Sequence, residues 1–140
     1  MATQAKAKKY NWRLELNGFI AGRAQSVQVP DIARDNAPYS VGGDEPLVKE
    51  PMRKKIDGKL VIKHLIFTGD GALYNWFMNP EKRLAFVYLL DDLGKTIRKY
   101  ECKGCFPDKI NLEELDAKNE NEFVMETAEF SVDDVVLKSR

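Results

Sequence analysis

The chain lacks almost everything that marks an enzyme or a membrane protein. In 140 residues it has one histidine, His64, and two cysteines, Cys102 and Cys105. Two cysteines are too few for a disulfide scaffold and agree with a reducing compartment. No apolar run approaches the roughly 20 residues needed to cross a bilayer. The first nine residues, MATQAKAKK, have no apolar core of the kind a secretory signal carries. These absences point to synthesis in the cytoplasm and to no membrane insertion. There is also no Gly-rich phosphate loop, no Gly-x-Ser-x-Gly elbow and no His-Glu-x-x-His helix. Nothing requires an enzyme, and no catalytic residue, cofactor or metal ligand is expected. Net charge is missing as well, since 22 basic residues balance 22 acidic ones. That removes any global electrostatic case for a nucleic-acid or anionic-membrane partner.

What is present suits one compact domain: 44% hydrophobic content on a chain too short for two domains of ordinary size. The charge is unevenly placed. Residues 1–90 hold 14 Lys/Arg against 9 Asp/Glu, a net of +5, and residues 91–140 hold 8 against 13, a net of −5. A basic end can meet the acidic end of a neighbour.

Residues 1–9 read as a flexible basic arm, and residues 10–140 as a single β domain. In 10–17, Tyr10, Trp12, Leu14 and Leu16 alternate with Asn11, Arg13, Glu15 and Asn17, the pattern of a half-buried strand. Residues 23–29 have strand-like content but are polar, so one side is expected to face water or another subunit. Residues 30–58 carry four prolines and show no sustained period, which predicts a long loop, uncommon in a small domain unless it binds something. Residues 59–68 read as a two-faced buried strand.

A short helix follows, with Asp70 as its cap, Leu73, Trp76 and Phe77 on one face, and Pro80 closing it. Residues 84–90 are apolar on both faces and predict a central strand, with the helix as its cover. Asp91-Asp92-Leu93-Gly94 supplies turn formers, and residues 95–103 resume as the second arm of a hairpin. After Pro107, Ile110, Leu112 and Leu115 stand among acidic residues, a polar turn occupies 116–121, and a last strand is expected over 122–132 with Val124, Ala128, Phe130 and Val132 facing the core despite Glu126. The sum is a mainly β chain: an antiparallel β-sandwich or barrel with one short α-helix.

Cys102-Lys103-Gly104-Cys105 has redox or zinc spacing, but redox pairs of this kind open a helix, and this one ends a strand. In an extended chain the sulfurs fall on opposite faces with Cα atoms about 10 Å apart, beyond the roughly 7 Å limit for a disulfide. A turn at Gly104 can bring them together, yet zinc needs two further ligands. Two small strand-end side chains are expected, and a structural role for His64. Arg53-Lys54-Lys55 suggests a phosphate patch, but Asp44, Glu45, Glu50 and Asp57 flank it, as in a solvated mixed-charge loop.

In order, these elements resemble the bacteriophage T4-like tail tube protein family, the inner-tube subunits of contractile phage tails and contractile injection systems. The collinear segments are Leu16-Asn17-Gly18, Gly42-Gly43-Asp44, Leu60-Val61-Ile62-Lys63 and Asp70-Gly71-Ala72-Leu73-Tyr74-Asn75-Trp76-Phe77. They continue with 83–90, Leu90-Asp91-Asp92-Leu93-Gly94-Lys95, Arg98-Lys99-Tyr100, Gly104-Cys105-Phe106-Pro107, Leu115-Asp116-Ala117 and Met125-Glu126-Thr127-Ala128-Glu129-Phe130. The resemblance implies a subunit that closes into hexameric rings stacked as a tube inside a sheath, with a baseplate hub or tube initiator at one end and translocated cargo in the lumen. It implies assembly in the bacterial cytoplasm into a phage tail or an extracellular or cell-associated particle. Arg23, Gln25 and Gln28 are then lumen-lining candidates, and Tyr39, Gly42, Gly43, Asp44, Arg53 and Lys54 assembly-interface candidates. The competing expectation is a monomeric β-barrel module that binds nucleic acid or peptide through the basic loop and aromatics such as Trp12, Tyr74 and Trp76.

Overall fold

The computed structural model describes residues 7–17, 24–40, 47–66, 71–118 and 122–139. Two antiparallel sheets share one long strand. The first contains β1 (Trp12–Leu16), β6 (Arg83–Leu90), β7 (Thr96–Leu112) and β9 (Asp134–Ser139). The second runs from the far half of β7 through β8 (Met125–Ser131) and β5 (Leu60–Leu65) to β2 (Ala24–Gln28). The β1 alternation is as expected, with Leu14 and Leu16 buried and Arg13 and Glu15 exposed. The β6–β7 hairpin is held by Asp91, whose carboxylate accepts from the Leu93 and Lys95 amides at 2.9 and 2.8 Å, while Gly94 takes φ +82°. Asn11 fastens the turn from outside, its Nδ2 donating to the carbonyls of Leu90 and Asp91 at 3.2 and 2.7 Å.

Strand β7 extends past the expected end at Lys103, and a bulge makes this possible. Arg83 opposes Cys105 and Ala85 opposes Cys102, so β7 has one residue more than β6 in this interval. Gly104, at φ +67°, absorbs it. The extra residue turns both cysteines inward, against the opposite-face expectation for an unbroken strand, and both are fully buried and free. They are core side chains in mid-strand.

The core lies between the sheets, built on Leu14, Leu60, Ile62, Val87, Phe130 and Val135. Helix α1 (Ala72–Met78) covers it, with Leu73 and Trp76 buried and the Trp76 ring 5.5 Å from that of Phe130. The indole N–H donates to the Glu81 carbonyl at 2.8 Å. The cap differs from expectation. Gly71 holds the N-cap position with no side-chain cap bond, and Asp70 lies outside the described residues.

Three further differences have physical causes. The predicted loop at 30–58 is a two-stranded hairpin, β3 (Asp31–Ser40) paired with β4 (Leu47–Asp57). The arm pairs only with itself and meets the core at its base through Ile56, so no sustained apolar alternation betrays it, and both its strands are edges, where Pro38 and Pro51 leave a ladder position empty without breaking a sheet. The last expected strand divides. β8 ends at Ser131 and the chain doubles back as β9, whose Val135 is fully buried, whereas Val124 is exposed rather than core-facing. On β6, Ala85 and Val87 are buried, but Leu84 is half exposed, and Phe86 and Tyr88 stack on each other at 6.3 Å beneath the charged side chains of Lys99 and Arg13. Of the N-terminal arm, residues 1–6 lie outside the described set, and Lys8 pairs with Asp92 at 3.3 Å.

Candidate functional site

The outward face of the second sheet is polar. Register aligns Gln28, Val61, Glu129 and Lys109 in one row across the four strands, and Ser26, Lys63, Thr127 and Asn111 in the next. Val61 is the one apolar residue in these two rows, and Lys109 reaches Glu129 at 3.6 Å. A strand buries one face on the core and leaves the other to its surroundings, so eight residues of this character specify a hydrated surface. Gln25 and Gln28 are both exposed on β2. A bulge between Ala24 and Ser26 sets Ala24 and Val27 toward the core and Gln28 on the polar face. Arg23 lies outside the described residues.

From sequence this face was legible only on β2, where Gln25, Ser26 and Gln28 make three of the five residues polar. Lys63, Thr127, Glu129, Lys109 and Asn111 each stand next to an apolar residue along the chain, and only cross-strand register gathers them. The alternation of Thr127, Glu129 and Ser131 with Ala128 and Phe130 was the available signal.

Both rims of this sheet are open among the described residues. β2 pairs with β5 alone, and residues 106–112 of β7 pair with β8 alone. Each rim presents unpaired backbone N–H and C=O groups, a template for another strand.

The β3–β4 arm leaves the sheet at the end where Gln28 and Leu60 lie. Its base is fixed: Ile56 packs on the core, and the Lys54 ammonium donates to the Val135 carbonyl at 3.1 Å and pairs with Asp134 at 2.9 Å. That hydrogen bond and charge hold the Asp134 carboxyl below the usual carboxylate range. Lys54 is thus engaged within its own chain, while Arg53 is exposed. Tyr39 stands on β3 opposite Val48 in register. Gly42, Gly43 and Asp44 lie outside the described residues.

The outward face of the first sheet carries a ladder of charge on aromatic rings. The Arg13 guanidinium lies 4.3 Å from the Tyr88 ring centre and Lys99 4.6 Å from that of Phe86. Tyr88 donates to Glu15 at 3.2 Å, and Lys138 pairs with Glu101 at 2.9 Å, which lowers the Glu101 pKa.

The chemically suggestive residues are structural in their surroundings. Cys105 donates its thiol hydrogen to the Cys102 carbonyl at 3.2 Å, and its contact with the Cys102 sulfur, together with burial, pushes its pKa up, away from the reactive thiolate. His64 is buried beside the Leu65 carbonyl and faces Glu126 at 3.1 Å, its register partner on β8. That pairing explains how Glu126 sits on the same face of β8 as Ala128 and Phe130. Among the described residues no group of three or more His, Cys, Asp or Glu is placed to hold a metal ion, and no helix is long and apolar enough to cross a membrane.

A family model described as T4-like virus tail tube protein gp19 matches residues 8–136. No curated protein matches the chain. Among solved structures, the fold is similar to a chain in the anti-feeding prophage cap, described as the tube-terminating cap, with TM-score 0.83, 21% identity, and coverage of 100% of this chain and 95% of that one. It is similar to a chain in the sheath-tube complex of the extracellular contractile injection system PVC in its extended state, with TM-score 0.80, 20% identity and coverage of 96% and 93%. Hcp1 from Salmonella typhimurium shares the fold at TM-score 0.55, 13% identity and coverage of 94% and 87%.

Proposed function

Because the chain belongs to the T4-like virus tail tube protein family, a family of structural tube components and not of enzymes, we infer that it is a subunit of the inner tube of a contractile phage tail or phage-like contractile injection system. Copies close into hexameric rings, and the rings stack around a lumen through which cargo passes.

The observation that carries this reading is a polar sheet face bounded by two open strand edges. Rotation about a ring axis preserves strand direction. β2 of one copy and residues 106–112 of the next run oppositely, so they can pair as an antiparallel seam. Repeating the seam around the ring joins the sheets into one barrel with no edge left open. The polar rows then line the lumen, including Gln28, with Gln25 beside it on β2. A wall of amides, hydroxyls and paired charges stays hydrated and grips cargo weakly.

The charged and aromatic face of the first sheet is left on the outside, available to a sheath protein, and the tube begins on a baseplate hub or initiator. The β3–β4 arm, with Tyr39, Arg53 and Lys54 on its strands, reaches a neighbouring copy. Assembly takes place in the bacterial cytoplasm. Negative-stain microscopy of the purified protein tests the reading: six-fold rings or tubes are expected, and a strictly monomeric species at high concentration overturns it.

A further inference from the structure

The two cysteines have no part in the tube reading, and the paired sheet alters their geometry. Along an unbroken strand three intervals hold their Cα atoms about 10 Å apart. In the fold, Cys105 stands opposite Arg83 and Cys102 opposite Ala85, so three intervals of β7 are fitted to two of β6. Two strand intervals measure about 6.6 Å, and the register ties the β7 segment to that length. A disulfide bridges Cα atoms up to roughly 7 Å apart. The bulge at Gly104 thus brings the pair from beyond bridging range to within it, and it sets both side chains on the core face, where they are buried and free. The Cys105 sulfur lies 3.2 Å from the Cys102 carbonyl and touches the Cys102 sulfur.

The two sulfurs differ in reactivity. Contact with the Cys105 thiol lowers the Cys102 pKa, with burial opposing it, whereas Cys105 is pushed up by Cys102 and by burial. Cys102 is therefore the first to become a thiolate, the attacking form. Solvent reaches the pair when the corner over it opens. Asp133 fastens that corner, its amide donating to the Lys103 carbonyl at 2.9 Å and its carboxylate pairing with Lys82 at 2.7 Å. Both of those side chains are more than half exposed, and an ion pair so placed resists opening only weakly.

We propose that Cys102 and Cys105 form a redox modification site that closes to an intramolecular disulfide by exchange with a low-molecular-weight disulfide of the glutathione class. The Cys102 thiolate attacks one sulfur of that disulfide and expels the first small thiolate, which takes up a proton. Cys105 then loses its proton and attacks the Cys102 sulfur of the mixed bond, expelling the second. Two protein S–H bonds and one small-molecule S–S bond become one protein S–S bond and two small thiols. The chain is oxidised by two electrons and the small disulfide reduced by two. Closed, the bridge fixes the bulge at which β7 passes from the first sheet to the second. The site lies within one chain, so its failure leaves the tube reading untouched.

The experiment equilibrates the full chain with reduced and oxidised glutathione at a series of quotients, [GSH]²/[GSSG], folded and again in urea. Equilibrium is approached from both the dithiol and the disulfide, then quenched, and free thiols are alkylated before digestion with trypsin. Cleavage after Lys103 makes the bridge visible as residues 100–103 linked to residues 104–109. The folded protein should hold the bridge at a quotient about tenfold or more higher than the unfolded chain does. By the same linkage the oxidised protein should melt at the higher temperature. A bridge held no better in the folded protein than in urea overturns the proposal. So do free thiols in the folded protein at every quotient, glutathione adducts without the internal bridge, or bridges between chains only.

Discussion

At Gly104 a side chain would meet two obstacles at once. The backbone sits at φ +67°, where an L-residue is disfavoured by about 1–2 kcal/mol, and an added Cβ would lie 2.1 Å from Oδ2 of Asp133. Asp133 is not free to leave without loss, since it pairs with Lys82 at 2.7 Å and its amide donates to the Lys103 carbonyl at 2.9 Å. Gly94, at φ +82° with nothing within 4 Å of its built Cβ, isolates the backbone part of that penalty. Gly104→Ala is expected to lower stability by more than Gly94→Ala, with a melting temperature several degrees lower, roughly 2–4 °C per kcal/mol at this size. Equal losses from the two variants would show that the Asp133 clash is relieved at no cost. From sequence, Gly104 read only as a possible turn. The consequence that matters, the rotation of Cys105 onto the core face, depends on a count of residues against the facing strand, and that count exists only in the paired sheet.

The elements divide by how much local sequence specifies them. The hairpin turn at Asp91 to Gly94 and the Leu73–Trp76 face of α1 were legible because turn chemistry and helical spacing are local. β1 was legible because it buries one face and wets the other. The β3–β4 arm was not, because two strands standing off the body have no core to impose an alternation, and β9 was not, because Val135, Val136 and Leu137 make a short apolar run with no turn signal stronger than Asp133-Asp134. The polar rows of the second sheet lie at the same limit: each residue is visible, and their adjacency is not. The arm gives a prediction at this scale. Its described ties to the body are at the base, through Ile56 and Lys54, so deleting residues 39–50 should leave a subunit that folds and melts like the parent and does not polymerise. Normal tubes from the deletion, seen by microscopy, would remove the arm from assembly.

At the scale of the whole molecule, the tube inferred above would draw on different forces for ring closure and for stacking. A seam between β2 and residues 106–112 would be made of backbone hydrogen bonds, which salt scarcely screens, whereas stacking would bring the two differently charged parts of neighbouring subunits together. That division of charge is +5 over residues 1–90 and −5 over 91–140. Raising ionic strength from about 0.05 to about 0.5 M, which shortens the Debye length from roughly 14 to 4 Å, should therefore release rings from tubes before it opens the rings. Sedimentation with microscopy of the supernatant checks the order of events; subunits appearing without intact rings would reverse the assignment of forces.

Strand β7 belongs to both sheets, its first half paired with β6 and β9 and its second with β8. In a tube built from this subunit the lumen wall and the outer layer are joined along one uninterrupted backbone, and not merely by side chains pressed together. A load applied to the outside as a sheath shortens reaches the inner wall through covalent bonds. The two layers can bend as the tube is driven forward, but neither can slide past or peel from the other without first unzipping the ladders on both sides of that strand.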